Sequence, residues 1–324
     1  MRARDLLIRG MGALAVLAVA NAAVWAGARN ALPRQLVRRA QQTAPPTHLF
    51  LGNSTMASSI DEAAFAASMR GSRPLNAALG ATGPVEHYIL YRQIQLSRGA
   101  WLVYGFLDTQ LTDAPEGSWS TLTGSRSLVY FFDPEIAFEM YAPGGSWRSR
   151  LLRAASYVPV LVNRGAIWGR VERMRRGLEK LGQPPQAESR FGRSVDFSLL
   201  EPEPAEFAGR CERAARDQTP FSRPVAEIFG RATAQGNPIV VIEMPAPSLH
   251  RQRCYTGPAW AAYRQHLRAL MSGVGAIYLD ASDWLPDDAF SDGLHVNKPW
   301  AALFSARLAQ WFASIPGPAP AKVQ

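Results

Sequence analysis

Hydrophobic and polar positions along the chain follow two rhythms. Short apolar runs bounded by Gly, Pro or polar clusters fall at His48 to Gly52, Pro74 to Leu79, Ala100 to Phe106, Pro238 to Met244 and Gly275 to Asp280, and each reads as a strand. Helical periodicities lie between them. Ser59 and Glu62 have capping-box spacing ahead of Phe65 and Met69, and Pro84 opens a stretch that reaches Arg98. Val225, Ile228, Phe229 and Ala232 share one helical face, with Arg223, Glu227 and Arg231 opposite. Trp260, Tyr263, Leu267, Leu270, Met271 and Val274 form a second such face, and Trp300, Phe304, Leu308, Trp311 and Ile315 a third. Strands alternating with helices predict an α/β layer fold with a mostly parallel sheet.

The alternation breaks once, from about 108 to 220, which is too long for a simple connection and predicts a helical insertion between strands 3 and 4. Its middle, Trp147 to Leu181, contains eight arginines interleaved with Leu151, Leu152, Val160, Leu161, Ile167 and Trp168. That composition fits either a solvated helical cap or a face for anionic lipid, glycan or a membrane partner. At the N-terminus the run from Gly10 to Ala28 is apolar apart from Asn21, with Arg2, Arg4 and Arg9 before it and Arg29, Arg34, Arg38 and Arg39 after it. A helix over this run spans roughly 28 Å, the hydrocarbon thickness, which predicts a signal anchor. A cleaved signal peptide is the alternative, with small residues at Ala20 and Ala22 or at Ala26 and Ala28. Either reading puts the folded part outside the cytoplasm. The expected organisation is an anchor and basic linker over 1–40, an α/β domain over 41–315 and a frayed tail over 316–324.

Composition narrows the classes. The chain has 324 residues, of which 47% are hydrophobic and 19% charged, as befits a globular protein. The formal charge is +9, from 35 basic and 26 acidic side chains, and Lys180, Lys298 and Lys322 are the only lysines. No zinc-finger, basic-zipper or RNP-type pattern accompanies that charge, so no nucleic-acid partner is expected. Cys211 and Cys254 form no CxxC, and neither a metal nor a cofactor is expected. In an oxidising compartment they would make one bridge at most, between the end of the insertion and the loop after the fourth strand.

The candidate chemistry lies at the two ends of the folded region. Leu49-Phe50-Leu51 runs into Gly52-Asn53-Ser54 and then a helix, so Ser54 falls on a strand-to-helix turn at the carboxyl edge of the sheet, where open α/β folds bind ligands. There it is either a helix cap or a nucleophile whose own N–H faces a developing oxyanion. Asp292-Gly293-Leu294-His295 sits between the last strand and the last helix, at the same edge. Three-residue spacing lets Asp292 accept from Nδ1 of His295 and leave Nε2 to take a serine proton. His250, in the loop Pro245 to Thr256, is a candidate substrate contact, whereas His48, His87 and His266 lie in a strand, in a helix and beside an apolar helical face.

These motifs resemble those of the SGNH/GDSL hydrolase superfamily: Gly52-Asn53-Ser54 its first block, and Asp292-Gly293-Leu294-His295 its terminal D-x-x-H block. With the N-terminal apolar run and Leu51-Gly52-Asn53-Ser54, the chain is similar to the membrane-anchored branch that includes proteins of alginate O-acetylation and teichoic-acid D-alanylation. The resemblance covers about 47–315, apart from the insertion, and implies a three-layer, flavodoxin-like α/β/α fold. It implies Ser54 as nucleophile, His295 as general base and Asp292 as its orienting acid. An oxyanion-hole glycine is implied in Asn76-Ala77-Ala78-Leu79-Gly80-Ala81-Thr82-Gly83, with Gly80 the best match and Gly83 the alternative. Two departures stand out. Asn53 replaces the commoner Asp, and Tyr104-Gly105-Phe106-Leu107-Asp108-Thr109 lacks the third-block asparagine, leaving Thr109 as a candidate substitute. The implied function is an extracytoplasmic serine esterase or O-acyltransferase with an acyl ester donor and a glycan acceptor, and a membrane-bound acyltransferase as partner. The other class is a catalytically silent assembly or glycan-binding subunit.

Overall fold

Strand β1 (His48–Leu51) is buried at every position, because a central strand of a parallel sheet is covered on both faces. In the computed structural model, residues 3–28, 32–80, 82–113 and 203–315 are described, with 140, 147, 150, 154, 158, 160, 171, 174 and 175. The chain divides into two compact units: Met1–Arg39 with Pro115–Pro185, and Ala40–Ala114 with Gln186–Gln324.

The second unit carries a five-stranded, wholly parallel sheet of β1, β2 (Pro74–Asn76), β3 (Trp101–Phe106), β4 (Ile239–Glu243) and β5 (Ile277–Asp280), in the order β2-β1-β3-β4-β5. The chain runs outward from β1 to β2 and then returns to β3 on the other side, so the order reverses between β1 and β3. The crevice at their carboxyl ends is where such a topology binds ligands. The helices between and after the strands are α3 (Ser54–Ser59), α4 (Glu62–Ser68), α5 (Pro84–Gln93), α6 (Pro204–Arg216), α7 (Arg223–Ala234), α8 (Pro258–Gly273) and α9 (Lys298–Ser314). One sheet face, with Phe50, Val103, Val240 and Ile242, packs with Met56, Phe65, Phe304 and Leu308 from α3, α4 and α9. On the other face Tyr104 meets His87 of α5 and Phe229 of α7 edge-on.

All five expected strands form, with shorter ends. β2 stops at Asn76 because that side chain turns back to donate to the carbonyls of Ala57 and Ile60 and to accept from the N–H of Ala78. The expected Ser59–Glu62 capping box does not form. Ser59 ends α3, bonded to the carbonyl of Thr55, while Asp61 caps α4 by accepting from the N–H of Ala64. Glu62 instead accepts from the N–H of Asn76 at 2.6 Å, tying α4 to β2.

In the first unit, α1 (Ala3–Ala28) covers the whole N-terminal apolar run, and the basic linker is helical as α2 (Leu32–Gln42). Ile8, Met11, Leu14, Val16, Leu17 and Val19 of α1 are exposed. The side chains of α1 are described without a break only from Ile8 to Val24, and among the described residues no helix is long and apolar enough to cross a membrane. Most of the expected insertion lies outside the described residues, which resume ahead of α6. Cys211 in α6 and Cys254 are both buried and not joined by a disulfide, and burial pushes Cys211 up to about 12.

Candidate active site

The turn after β1 is shaped by a close approach of two backbones. Gly52 has φ +155°, and a Cβ there would lie 2.8 Å from both the carbonyl oxygen of Gly105 and Cβ of Met56, so β1 and α3 fit together only around a glycine. Asn53 then caps α3, its Oδ1 accepting from the N–H of Thr55 at 2.9 Å and from its hydroxyl at 2.7 Å. Ser54 is therefore the first residue of α3, half-buried at the positive end of the helix.

Gly80 borders Ser54 directly: a Cβ built on Gly80 would stand 3.8 Å from Cβ of Ser54. The loop that carries it is held at both ends. The N–H of Leu79 donates to the carbonyl of Gly52 at 3.2 Å, and the hydroxyl of Thr82 donates to the carbonyl of Leu79 at 2.7 Å. Thr82 also meets Nε2 of His87 at 3.1 Å, and Nδ1 of His87 meets the hydroxyl of Tyr104 at 2.8 Å. Burial lowers His87 to about 3, so this loop is braced by a neutral imidazole. Gly83 donates its N–H to Glu86 as the N-cap of α5, which distinguishes it from Gly80.

The second component is a tight turn between β5 and α9. Ser291 and His295 bond across it, Phe290 and Val296 form a bridge, and Asn297 caps α9. Inside the turn Asp292 accepts from the N–H groups of Leu294 and His295 through Oδ1, at 3.0 and 2.8 Å. Its Oδ2 lies 2.7 Å from Nδ1 of His295, with Oδ1 at 2.9 Å. The pair is well enclosed, at 6% exposure for the Asp292 side chain and 15% for that of His295. Such a carboxylate fixes the tautomer with the proton on Nδ1 and turns Nε2 into a base.

One bond brings the two components to the same helix. The N–H of Val296, next in the chain after His295, donates to the hydroxyl of Ser58 at 3.2 Å. Ser58 is fully buried and lies one helical turn after Ser54 on the same side of α3. Ser305 of α9 reinforces the junction, donating to the carbonyl of Ser59 and accepting from the N–H of Asp61.

Two other candidates have different surroundings. Thr109 is buried, and its hydroxyl donates to Asp113 at 2.9 Å within the turn after β3. His250 lies in a short helical turn, Ser248–His250, that continues as a π-turn over Arg251–Tyr255. It is 3% exposed, with Nε2 2.9 Å from Oδ1 of Asp108. Asp108, at φ +55°, also accepts from the hydroxyl of Tyr255 at 2.9 Å, and Tyr255 stacks on Trp260 at 4.3 Å. His250 thus belongs to a second Asp–His pair at the carboxyl ends of β3 and β4, which the sequence reading did not find. The signal was there in principle, since Asp108 and His250 each follow a strand, but nothing in the sequence pairs them across an intervening insertion.

Among the described residues no group of three or more His, Cys, Asp or Glu side chains is arranged to hold a metal ion. Comparison with family models and with curated proteins finds no match for the chain.

Proposed function

We propose that the protein is an extracytoplasmic serine esterase or O-acyltransferase with an SGNH-type site. The observation that carries this reading is the Asp292–His295 pair anchored through Val296 to the helix that Ser54 begins, with Gly80 beside that serine. In the proposed reaction Nε2 of His295 takes the hydroxyl proton as Oγ of Ser54 attacks the acyl carbonyl. The negative charge that moves onto the carbonyl oxygen is met by the N–H groups of Ser54 and Gly80 at the positive end of α3. Collapse expels the alkoxide, which receives the proton from His295, and leaves an acyl-serine. Water or a glycan hydroxyl then gives its proton to His295 and attacks the acyl carbon, releasing Ser54.

The proposed location rests on the membrane-anchor reading of the N-terminal run. The support is the apolar run from Gly10 to Ala28 in the sequence, read as an anchor with the body from about residue 40 onward on the extracytoplasmic side. A cell-surface or exported polysaccharide as acceptor, and a membrane-bound acyltransferase as partner, rest on the resemblance alone.

Thr109 favours the second reading, a silent assembly or glycan-binding subunit, because its hydroxyl is already given to Asp113 and the third block has no asparagine. Loss of one oxyanion donor costs about a hundredfold or more in rate. Hydrolysis of a generic acetyl ester by the wild-type protein and by Ser54→Ala separates the two readings. Turnover that disappears in Ser54→Ala supports the enzyme, and turnover that survives it removes Ser54 from the mechanism. Protease applied to spheroplasts tests the location, and full protection of the body until lysis would overturn it.

A further inference from the structure

Two loops flank the crevice at the carboxyl ends of β1 and β3. Ser54 stands on the first, and the loop after β3 is the second. The sheet register pairs Leu51 with Tyr104, which sets Gly52 level with Gly105, and Asp108 comes three residues after Gly105. A ligand seated where the strand order reverses meets both loops. Ser54, Asp108 and the residues that hold Asp108 all belong to the second unit.

Asp108 is held by the loop after β4. Its Oδ1 lies 2.9 Å from Nε2 of His250 and accepts from the hydroxyl of Tyr255, also at 2.9 Å. The N–H of Asp108 donates to that same hydroxyl at 3.3 Å, which closes a ring between the two residues. His250 meets the ring of Tyr255 edge-on at 5.1 Å, and Tyr255 stacks on Trp260 at 4.3 Å, so aromatic packing fixes both donors. Burial, and then the charge of Asp108, push the Tyr255 hydroxyl far above its ordinary value, which keeps it a donor. The backbone of Asp108 has φ +55°, a conformation that Asp adopts more readily than most residues.

These contacts use only one oxygen of the carboxylate. Oδ2 makes no hydrogen bond within the described residues, and the Asp108 side chain is 20% exposed where that of His250 is 3% exposed. A carboxylate with one oxygen oriented by two donors and the other left accessible at a ligand-binding edge is an acceptor preset for a donor on the ligand. The surroundings favour a neutral donor. Burial raises the nearby carboxyl of Asp113, the Thr109 hydroxyl and Arg210 draw it back, and Asp108 adds to the rise, so Arg210 and Asp108 act on one group. A cationic ligand on Asp108 also faces the charge of Arg210, and an alcohol hydroxyl meets no such conflict.

We propose that Asp108 is a substrate-binding residue of the Ser54 crevice, its Oδ2 accepting from a hydroxyl on the alcohol part of an acyl ester, with His250 and Tyr255 as positioning residues that hold the carboxylate. The ligand class is an ester of a polyhydroxylated alcohol, of which a sugar ring is the compact case. His250, expected from the sequence to touch substrate, instead orients the residue that does. The inference rests on the proposed esterase reading in taking the ligand to be an acyl ester.

The test measures binding to the full-length Ser54→Ala protein, in which Ser54 can turn nothing over. Methyl 6-O-acetylglucopyranoside and cyclohexylmethyl acetate carry the same acetyl ester on a ring with and without hydroxyls, and ligand-observed NMR titration gives the ratio of their dissociation constants. Asp108→Asn keeps an oxygen for His250 and Tyr255 and replaces Oδ2 by an NH2 group. It is expected to reduce the preference for the sugar about tenfold, because a charge-assisted bond gives way to a neutral one. His250→Phe keeps a ring against Tyr255 without the donor and is expected to reduce the preference about threefold, an effect that vanishes when Asp108→Asn is already present. His250→Gln, which can donate, restores the preference. An unchanged ratio in Asp108→Asn overturns the proposal, as does absence of binding by the sugar ester, and a His250→Phe effect that persists in the double variant overturns the positioning role. Should Asp108→Asn fail to fold, the 2-, 3- and 4-deoxy sugars decide on the Ser54→Ala protein itself: about tenfold weaker binding of one of them supports the proposal, and equal binding of all three and the parent overturns it. Tighter binding of the 2-ammonium sugar than of the parent overturns the neutral donor. Hydrolysis by the wild-type protein decides the esterase reading separately. Binding that depends on Asp108 without hydrolysis leaves this inference and removes the esterase, and hydrolysis with an unchanged ratio does the opposite.

Discussion

Asp292→Asn separates the geometry of the terminal turn from its chemistry. The asparagine keeps an oxygen for the N–H groups of Leu294 and His295, which Oδ1 of Asp292 now accepts at 3.0 and 2.8 Å, so the turn survives. What changes is the oxygen 2.7 Å from Nδ1 of His295, which becomes an NH2 group and donates to Nδ1. The imidazole must then carry its proton on Nε2, where it can no longer accept one from Ser54, and the imidazolium loses its counter-charge. For a serine–histidine–aspartate site this exchange costs about ten-thousandfold in kcat, or about 5 kcal/mol of transition-state stabilisation. The stability cost is much smaller, about 1.5–3 kcal/mol for one charge-assisted hydrogen bond in this enclosed pair. Asp292→Ala provides the contrast, because it also removes the acceptor from two N–H groups and loosens the turn. The assay is steady-state hydrolysis of an acetyl ester, paired with urea denaturation of each variant. An asparagine variant that keeps more than about a tenth of wild-type kcat/KM would refute the role of Asp292 as the orienting acid.

Other outcomes follow from the same geometry. Ser58→Ala leaves the N–H of Val296 buried without its acceptor and is expected to cost about 1–3 kcal/mol in a urea titration, with kcat falling more than KM rises; unchanged kcat would detach this bond from the site. Gly52→Ala is expected to cost about 2–6 kcal/mol, from a φ of +155° and a Cβ 2.8 Å from the carbonyl oxygen of Gly105. Gly80→Ala, whose Cβ meets Ser54 at 3.8 Å, is expected to change stability by less than about 1 kcal/mol, so equal midpoints for the two variants would contradict the turn geometry. Burial lowers His87 to about 3 and His48 to about 4 from 6.5, so the unfolded chain protonates first as the pH falls. Stability is full above about pH 6.5 and declines as the pH falls toward the folded values, a slope that His87→Gln should reduce in urea midpoints measured from pH 7 to 4.

The sheet was legible because parallel strands buried on both faces leave apolar runs that no neighbour needs to explain, as Leu49-Phe50-Leu51 and Val240-Val241-Ile242 do. Helix ends were less so. Ser59 and Glu62 carry the spacing of a cap, but long-range partners, Ser305 and Asn76, determine what those residues do. At the candidate site the local pair was readable, since Asp292 and His295 lie in one turn whose spacing defines their contact. Contacts between distant segments left no such trace: His250 reads as a loop histidine until Asp108, 142 residues earlier, is found against it. Gly80 and Gly83 are a local case: the resemblance put Gly80 first with Gly83 as the alternative, and the bond from Gly83 to Glu86 three residues on separates them.

The junction of Val296 with Ser58 joins residues separated by 238 positions, and that of Ser305 with Ser59 by 246. A chain synthesised from its N-terminus therefore completes α3 long before the turn that faces it has emerged. During that interval Ser54 waits on a helix whose Ser58 hydroxyl is bonded only to the carbonyl of Thr55 within the same helix and whose flank against α9 is bare. Closing so long a loop is entropically slow, and it comes last. On the proposed mechanism the nascent protein would lack its general base until the turn ahead of the final helix arrives, and would spare acyl esters until then.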